Sequence, residues 1–122
     1  MAIQKDSPFT IYHNSRCSKS RQTLQLLRDS GIEPEIVEYL KTPLSQDDLK
    51  TLVKKLGMKA HDILRTKEND YKVAKLNTTS TDEEVIEAIA TYPKLLERPI
   101  VTLKEKAIIG RPPENVNKFL KQ

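Results

Sequence analysis

Apolar and polar positions change period several times along the chain, and each change marks an element. Phe9-Thr10-Ile11-Tyr12 is a short β-branched and aromatic run between Pro8 and His13-Asn14, which predicts a strand. From Ser18 to Asp29 the positions Thr23, Leu24 and Leu27 recur at helical spacing, and Ser30-Gly31 ends the pattern. After the breaker Pro34, Ile36 to Leu40 predicts a second strand. Two strands joined by one helix make a βαβ unit, so these strands should run parallel with a right-handed crossover.

The middle of the chain is helical in pattern. Ser45 can cap a helix from Gln46 to Leu56, with Asp47 and Asp48 favourable in its first turn and Gly57 after its end. Leu49, Leu52, Val53 and Leu56 form its apolar stripe. Short helices are expected at Ala60–Arg65 and Asn69–Leu76. Thr81 and Glu84 fit a capping box ahead of Val85, Ile86 and Ile89, and Tyr92-Pro93 ends that helix. Arg98 to Leu103 is a strand led by Pro99, joined through Lys104-Glu105 to Lys106–Ile109. This pair reads as a hairpin whose turn type is open, because the connection has neither Gly nor Asn. Gly110-Arg111-Pro112-Pro113 then turns the chain into a last helix through Phe119 and Leu120. The order βαβ, helices, ββ, α predicts an α/β fold: a mixed four-stranded, thioredoxin-like sheet in a single domain, 1–122, with a helical insert at about 45–92.

Composition narrows the setting. A chain of 122 residues with 37% apolar content suits one core, and it has no apolar run long enough for a transmembrane helix. The start, MAIQKDSPFT, lacks the apolar centre of a secretion signal. A single cysteine makes no internal disulfide, and no Cys/His cluster has metal-ligand spacing. These features predict a cytoplasmic protein without a membrane segment, a metal or a bound cofactor; we expect a monomer. The net charge of +4 is mild; it could simply aid solubility or draw in small anions or an acidic partner. With no Trp, two Phe and no aromatic–basic interleaving, nucleic acid is not an expected partner.

The candidate chemistry sits in Tyr12–Arg21, YHNSRCSKSR. Thiolate is the reactive form of cysteine, and three features favour it at Cys17. The residue lies at a predicted helix N-terminus, where unpaired N–H groups and the helix dipole attract negative charge. Arg16, Lys19 and Arg21 surround it, and His13 stands four residues before it. The same amides can hold an oxyanion. The plain alternative, a buried structural cysteine, fits this basic and polar stretch poorly. For His13 a structural role at a strand end and an electrostatic one stand equal, and His61 reads as solvated surface. Ser20 occupies the place of the second thiol of a Cys-x-x-Cys motif, so any adduct on Cys17 must be cleared by an outside thiol. Three further arginines stand beside chain breakers or element ends: Arg65 in ILRTKE, Arg98 in ERPIV and Arg111 in GRPPE. Each guanidinium fork could grip two oxygens of a tetrahedral oxyanion, although a lone arginine is ordinarily just surface.

At these residues the chain resembles the arsenate reductases of the glutaredoxin-coupled type. His13, Asn14, Cys17, Ser20 and Arg21 match HN-x-x-C-x-x-S-R, and Arg65, RPI at Arg98–Ile100 and GRP at Gly110–Pro112 follow in the family's order. The likeness runs from about residue 9 to 120. It departs at Ser15, where many relatives have proline, and in the more basic loop made by Arg16, Ser18 and Lys19. The resemblance implies a thioredoxin-like fold with a helical insert and an oxidoreductase of arsenic detoxification. By it, Cys17 attacks arsenate, His13 helps keep the thiolate, and Arg65, Arg98 and Arg111 bind the oxyanion. Asn14, Ser20 and Arg21 support the loop, and Pro99 takes the place of the fold's cis-proline. Glutathione acts as co-substrate on the arsenic adduct, and glutaredoxin removes glutathione from the enzyme. Two alternatives stand beside this: a transcription regulator of the Spx type that binds RNA polymerase, and a glutathione-binding thiol protein that reduces no oxyanion. Spx-type redox sensors usually carry Cys-x-x-Cys, and Ser20 weakens that reading.

Overall fold

β1 (Phe9–Tyr12) has a neighbour on each side in the four-stranded sheet of the computed structural model, which describes residues 8–120. The first seven residues of the stretch read for a secretion signal lie outside the described residues. β2 (Glu35–Val37) runs parallel to β1, pairing Ile36 with Ile11. β3 (Ile100–Leu103) runs antiparallel on the other side, pairing Val101 with Ile11. β4 (Lys106–Ile109) closes an antiparallel hairpin with β3 and sits at the edge, giving the order β2-β1-β3-β4. The mixed four-stranded α/β sheet is therefore the one the element order predicts.

The helix α1 (Ser18–Asp29) connects the two parallel strands. Its inward face supplies Leu24 and Leu27, which join Ile11, Val101, Val116 and Phe119 in one buried cluster. Leu27 is fully buried, and removing its side chain to Ala would cost on the order of 2–5 kcal/mol. This cluster fastens α1 to the sheet, so the end of β1 and the first turn of α1 are held in one place.

The described residues fall into two compact units, divided at Tyr39/Leu40 and at Glu97/Arg98. The sheet and α1 belong to the first. The second, Leu40–Glu97, holds α2 (Gln46–Leu56), α3 (Asn69–Val73) and α4 (Asp82–Thr91), with 3₁₀ turns at Ala60–Ile63 and Pro93–Leu95. The predicted capping box forms, the Thr81 hydroxyl accepting from the Glu84 N–H, and the predicted Ser45 cap goes further: its hydroxyl accepts from the Asp48 N–H while its own N–H donates to the Asp48 carboxylate, a second box. Gly57 takes the left-handed conformation (φ 67) that ends α2.

Several boundaries differ from the sequence pattern. β2 begins at Glu35 and ends at Val37 rather than running from Ile36 to Leu40, because its partner β1 stops at Tyr12, opposite Val37. The last rung beyond is the His13 N–H to the Val37 carbonyl, at 2.9 Å. The helix expected over Ala60–Arg65 is a 3₁₀ turn that stops at Ile63, where Leu64 turns extended and bridges to Leu96. α3 stops at Val73, two residues before Lys75 adopts φ 59. The final helix, α5 (Asn117–Leu120), starts only after a 3₁₀ turn at Pro113–Val116. At the β3–β4 turn it is Lys104 that adopts the left-handed backbone (φ 56) normally taken by glycine or asparagine.

Candidate functional site

The chain leaves β1 at Tyr12 and reaches α1 at Ser18, and the loop between is held by its own hydrogen bonds. The Asn14 carbonyl accepts from the Cys17 N–H at 3.0 Å, and the Asn14 side-chain oxygen accepts from the Arg16 N–H at 3.0 Å. The Asn14 N–H donates to the Ser20 hydroxyl at 3.1 Å. Arg21 bends back from α1 and donates to the Ser15 carbonyl at 2.9 Å. Asn14, Ser20 and Arg21 thus shape the loop, and Cys17 is left as the N-cap residue of α1, half-buried, in extended conformation (φ −93, ψ 122).

Burial by itself would raise the Cys17 thiol pKa. It is outweighed by the Ser20 N–H, the Arg98 guanidinium, the Lys19 N–H and the Arg111 guanidinium, and the net shift is downward from the ordinary cysteine value. No side-chain hydrogen bond caps α1 by strict geometry, yet the two amides act on the sulfur as unpaired first-turn donors do on any anion. Arg111 Nη1 lies 4.0 Å from Cys17 Sγ and donates to the Arg98 carbonyl at 3.3 Å. Cys17, Arg98 and Arg111, far apart in sequence, are therefore brought together. A half-buried sulfur facing two amides and two guanidinium groups can hold a thiolate and can attract a small anion beside it.

His13 takes a different place from a solvent-facing imidazolium. It is 6% exposed, and its Nδ1 lies 2.6 Å from the hydroxyl of Ser20, which is fully buried. Assigning the serine proton to this bond satisfies both groups and leaves the ring proton on Nε2. Burial is the main cause lowering its pKa. Glu38 opposes the shift, Arg28 and Arg21 reinforce it, and the ring is held neutral more strongly than a free histidine. His13 thus bears on Cys17 through Ser20, whose backbone N–H faces the sulfur.

The peptide bonds Arg98–Pro99 and Arg111–Pro112 are both cis. The first was expected at Pro99 and the second was not. Gly110 N–H donates to the Pro99 carbonyl at 2.9 Å, which ties the two arginine-bearing segments to each other. Gly110 also lies against α1: a Cβ there would sit 2.6 Å from Thr23 Oγ1 and 3.0 Å from Pro99 Cγ. Gly110, Thr23 and Asn115, which brackets the turn with two hydrogen bonds, carry no local mark of these roles. Only the asparagine, close after two prolines, hints at a turn partner.

Arg65 belongs to the second unit. Its guanidinium pairs with Glu68 at 2.9 Å, and its N–H donates to the Leu95 carbonyl at 2.7 Å. His61 is half-buried rather than solvated: its Nε2–H donates to the Ser80 carbonyl at 2.8 Å. No helix among the described residues is long and apolar enough to cross a membrane.

The ArsC family model matches residues 12–119. An uncharacterised protein of Escherichia coli K12, YfgD, is 54% identical over 108 residues, which is 87% of this chain and 91% of that one. An arsenate reductase of Neisseria meningitidis serogroup B is 46% identical over 112 residues, 90% of this chain and 96% of its own. Among solved structures, an arsenate reductase from Vibrio cholerae is 44% identical and superposes with a TM-score of 0.87 over 90% of this chain and 95% of that one. Since the family match takes in both units, and sheet and sequence agree with the same relatives, this chain belongs to the ArsC family and has its thioredoxin-like α/β fold.

Proposed function

We propose that this protein reduces arsenate to arsenite, with Cys17 as the nucleophile and glutathione and a glutaredoxin as the sources of electrons. The observation that carries the reading is the Cys17 sulfur at the N-terminus of α1, biased toward thiolate, with Arg111 Nη1 4.0 Å away. Family membership and relatives named arsenate reductase support arsenate as the oxyanion.

The thiolate displaces one oxygen of arsenate, which leaves as water, and a sulfur–arsenic bond forms. The amides of Ser20 and Lys19 and the forks of Arg98 and Arg111 neutralise charge on the oxyanion. Ser20 and His13 hold the loop that presents the sulfur. The glutathione sulfur then bonds to arsenic, its proton passing to an arsenic-bound oxygen. A sulfur–sulfur bond forms between Cys17 and glutathione as both sulfur–arsenic bonds break. Two electrons stay on arsenic, which departs as arsenite. Cys17 is the only cysteine in the chain, so the mixed disulfide is opened from outside, by a glutaredoxin thiol attacking the glutathione sulfur.

The test is arsenate-dependent NADPH oxidation with glutathione, glutaredoxin and glutathione reductase. Turnover that needs all three, with a glutathione adduct on Cys17 visible by intact mass when glutaredoxin is omitted, is the expected result. Absence of arsenate-dependent oxidation with the complete system would overturn the proposal. Equal turnover with thioredoxin alone would overturn its glutaredoxin step.

A further inference from the structure

The turn carrying Arg111 is gripped from three sides. Gly110 N–H is bonded to the Pro99 carbonyl, and Gly110 is pressed against Thr23 of α1, as described above. The third grip is Asn115. Its Nδ2 donates to the Ile109 carbonyl at 3.2 Å and to the Arg111 carbonyl at 3.1 Å. Both acceptors are carbonyls, so only the amino end of the side chain can face them, and both of its protons are used. The Asn115 backbone N–H donates to the Pro112 carbonyl at 2.9 Å. One side chain therefore spans residues 109–111 like a staple, while its own backbone is bonded to the next residue of the same turn.

An arginine has a long side chain with many rotamers. For Arg111 Nη1 to stand 4.0 Å from Cys17 Sγ and 3.3 Å from the Arg98 carbonyl, its root must be fixed. The Asn115 bonds lie on both sides of Gly110, where a flexible hinge would otherwise let that root swing.

We propose that Asn115 is a positioning residue that fixes the backbone of Arg111 against the Cys17 sulfur and so sets how tightly the site holds a tetrahedral oxyanion. The proposal rests on the oxyanion reading given above and names a residue that acts through Arg111. Loss of the amino group frees the turn, and the arginine samples positions away from the anion.

A double-mutant cycle with Asn115→Ala, Arg111→Ala and the pair tests it, with Asn115→Ser as a second, shorter donor and circular dichroism confirming that each variant is folded. Two readouts are used: the KM and kcat for arsenate in the coupled assay, and the pH profile of Cys17 alkylation by iodoacetamide. Asn115→Ala should raise KM about tenfold with a much smaller change in kcat, since a misplaced group costs binding first. Asn115→Ser should fall between it and wild type. In the Arg111→Ala background the same substitution should change nothing further in either readout. An Asn115 effect of undiminished size in that background, or an unchanged KM in folded Asn115→Ala, overturns the proposal. Should wild type reduce no arsenate, the functional reading has failed, and the alkylation cycle decides for Asn115 alone: a shift to higher pH that vanishes without Arg111 supports it, and no shift or an additive one overturns it.

Discussion

His13 Nδ1 and Ser20 Oγ stand 2.6 Å apart, both side chains buried, one at the end of β1 and the other in the first turn of α1. The bond joins the strand end to the helix whose amides face Cys17. It also fixes the charge the histidine can carry: a buried ring paired with a hydroxyl, near Arg28 and Arg21, is held neutral. Help for the thiolate then comes from the Ser20 and Lys19 amides and the Arg98 and Arg111 guanidiniums, rather than from an imidazolium.

The neutral His13 predicts a pH dependence of stability. Its folded pKa is lowered, so as pH falls below about 6.5 the unfolded chain takes up a proton that the folded chain does not. Stability should therefore be greatest above that value, decline as pH drops toward the folded pKa, and level off below it. Urea midpoints measured between about pH 5 and 8 should show this slope in wild type and a flatter one in His13→Asn. Parallel slopes in the two proteins would show that His13 does not titrate differently on folding.

Cys17→Ser should abolish arsenate turnover and leave the unfolding transition close to that of wild type. The sulfur is half-buried, is in no disulfide, and makes no side-chain cap hydrogen bond to α1. A folded Cys17→Ser protein that retained most of its turnover would remove this residue from the chemistry.

Arg98→Lys and Arg111→Lys keep the charge and lose the planar fork. Each should weaken arsenate use by the worth of one charge-assisted hydrogen bond, about 1.5–3 kcal/mol in transition-state binding, with little change in thermal midpoint. Steady-state kinetics and a melting curve on each variant decide this, and wild-type kcat/KM in both would place the oxyanion elsewhere.

Gly110→Ala should destabilise the protein by about 1–3 kcal/mol, as overpacking does. Its Cβ would meet Thr23 Oγ1 at 2.6 Å and Thr23 Cγ2 at 3.1 Å, and Thr23 is fully buried, so it has nowhere to swing. Thr23→Ala removes the two Thr23 atoms, leaves the Pro99 Cγ contact at 3.0 Å, and should restore part of the loss in the double variant. Denaturant unfolding of the two singles and the double measures the rescue; additive losses would mean that the strain lies elsewhere.

What the amino-acid order determined by itself is what depends on neighbours within about one helical turn. The start of α1 at Ser18, the caps Ser45 and Thr81, the left-handed stop at Gly57 and the place of Cys17 before a helix are all local matters of period and hydrogen-bond donors. They were legible because the residues concerned touch in any chain that folds that segment. The end of β2 at Val37 was not, since a strand ends where its partner does, and β1 is more than twenty residues away. Nor could spacing give the approach of Arg111 to Cys17 across 94 residues, the Gly110–Thr23 contact across 87, or the neutral state of His13. Those follow from burial and from which surfaces the packed cluster of Ile11, Leu24, Leu27, Val101, Val116 and Phe119 brings face to face. Electrostatics and close contact act through space, and only the folded chain defines the distances on which they depend.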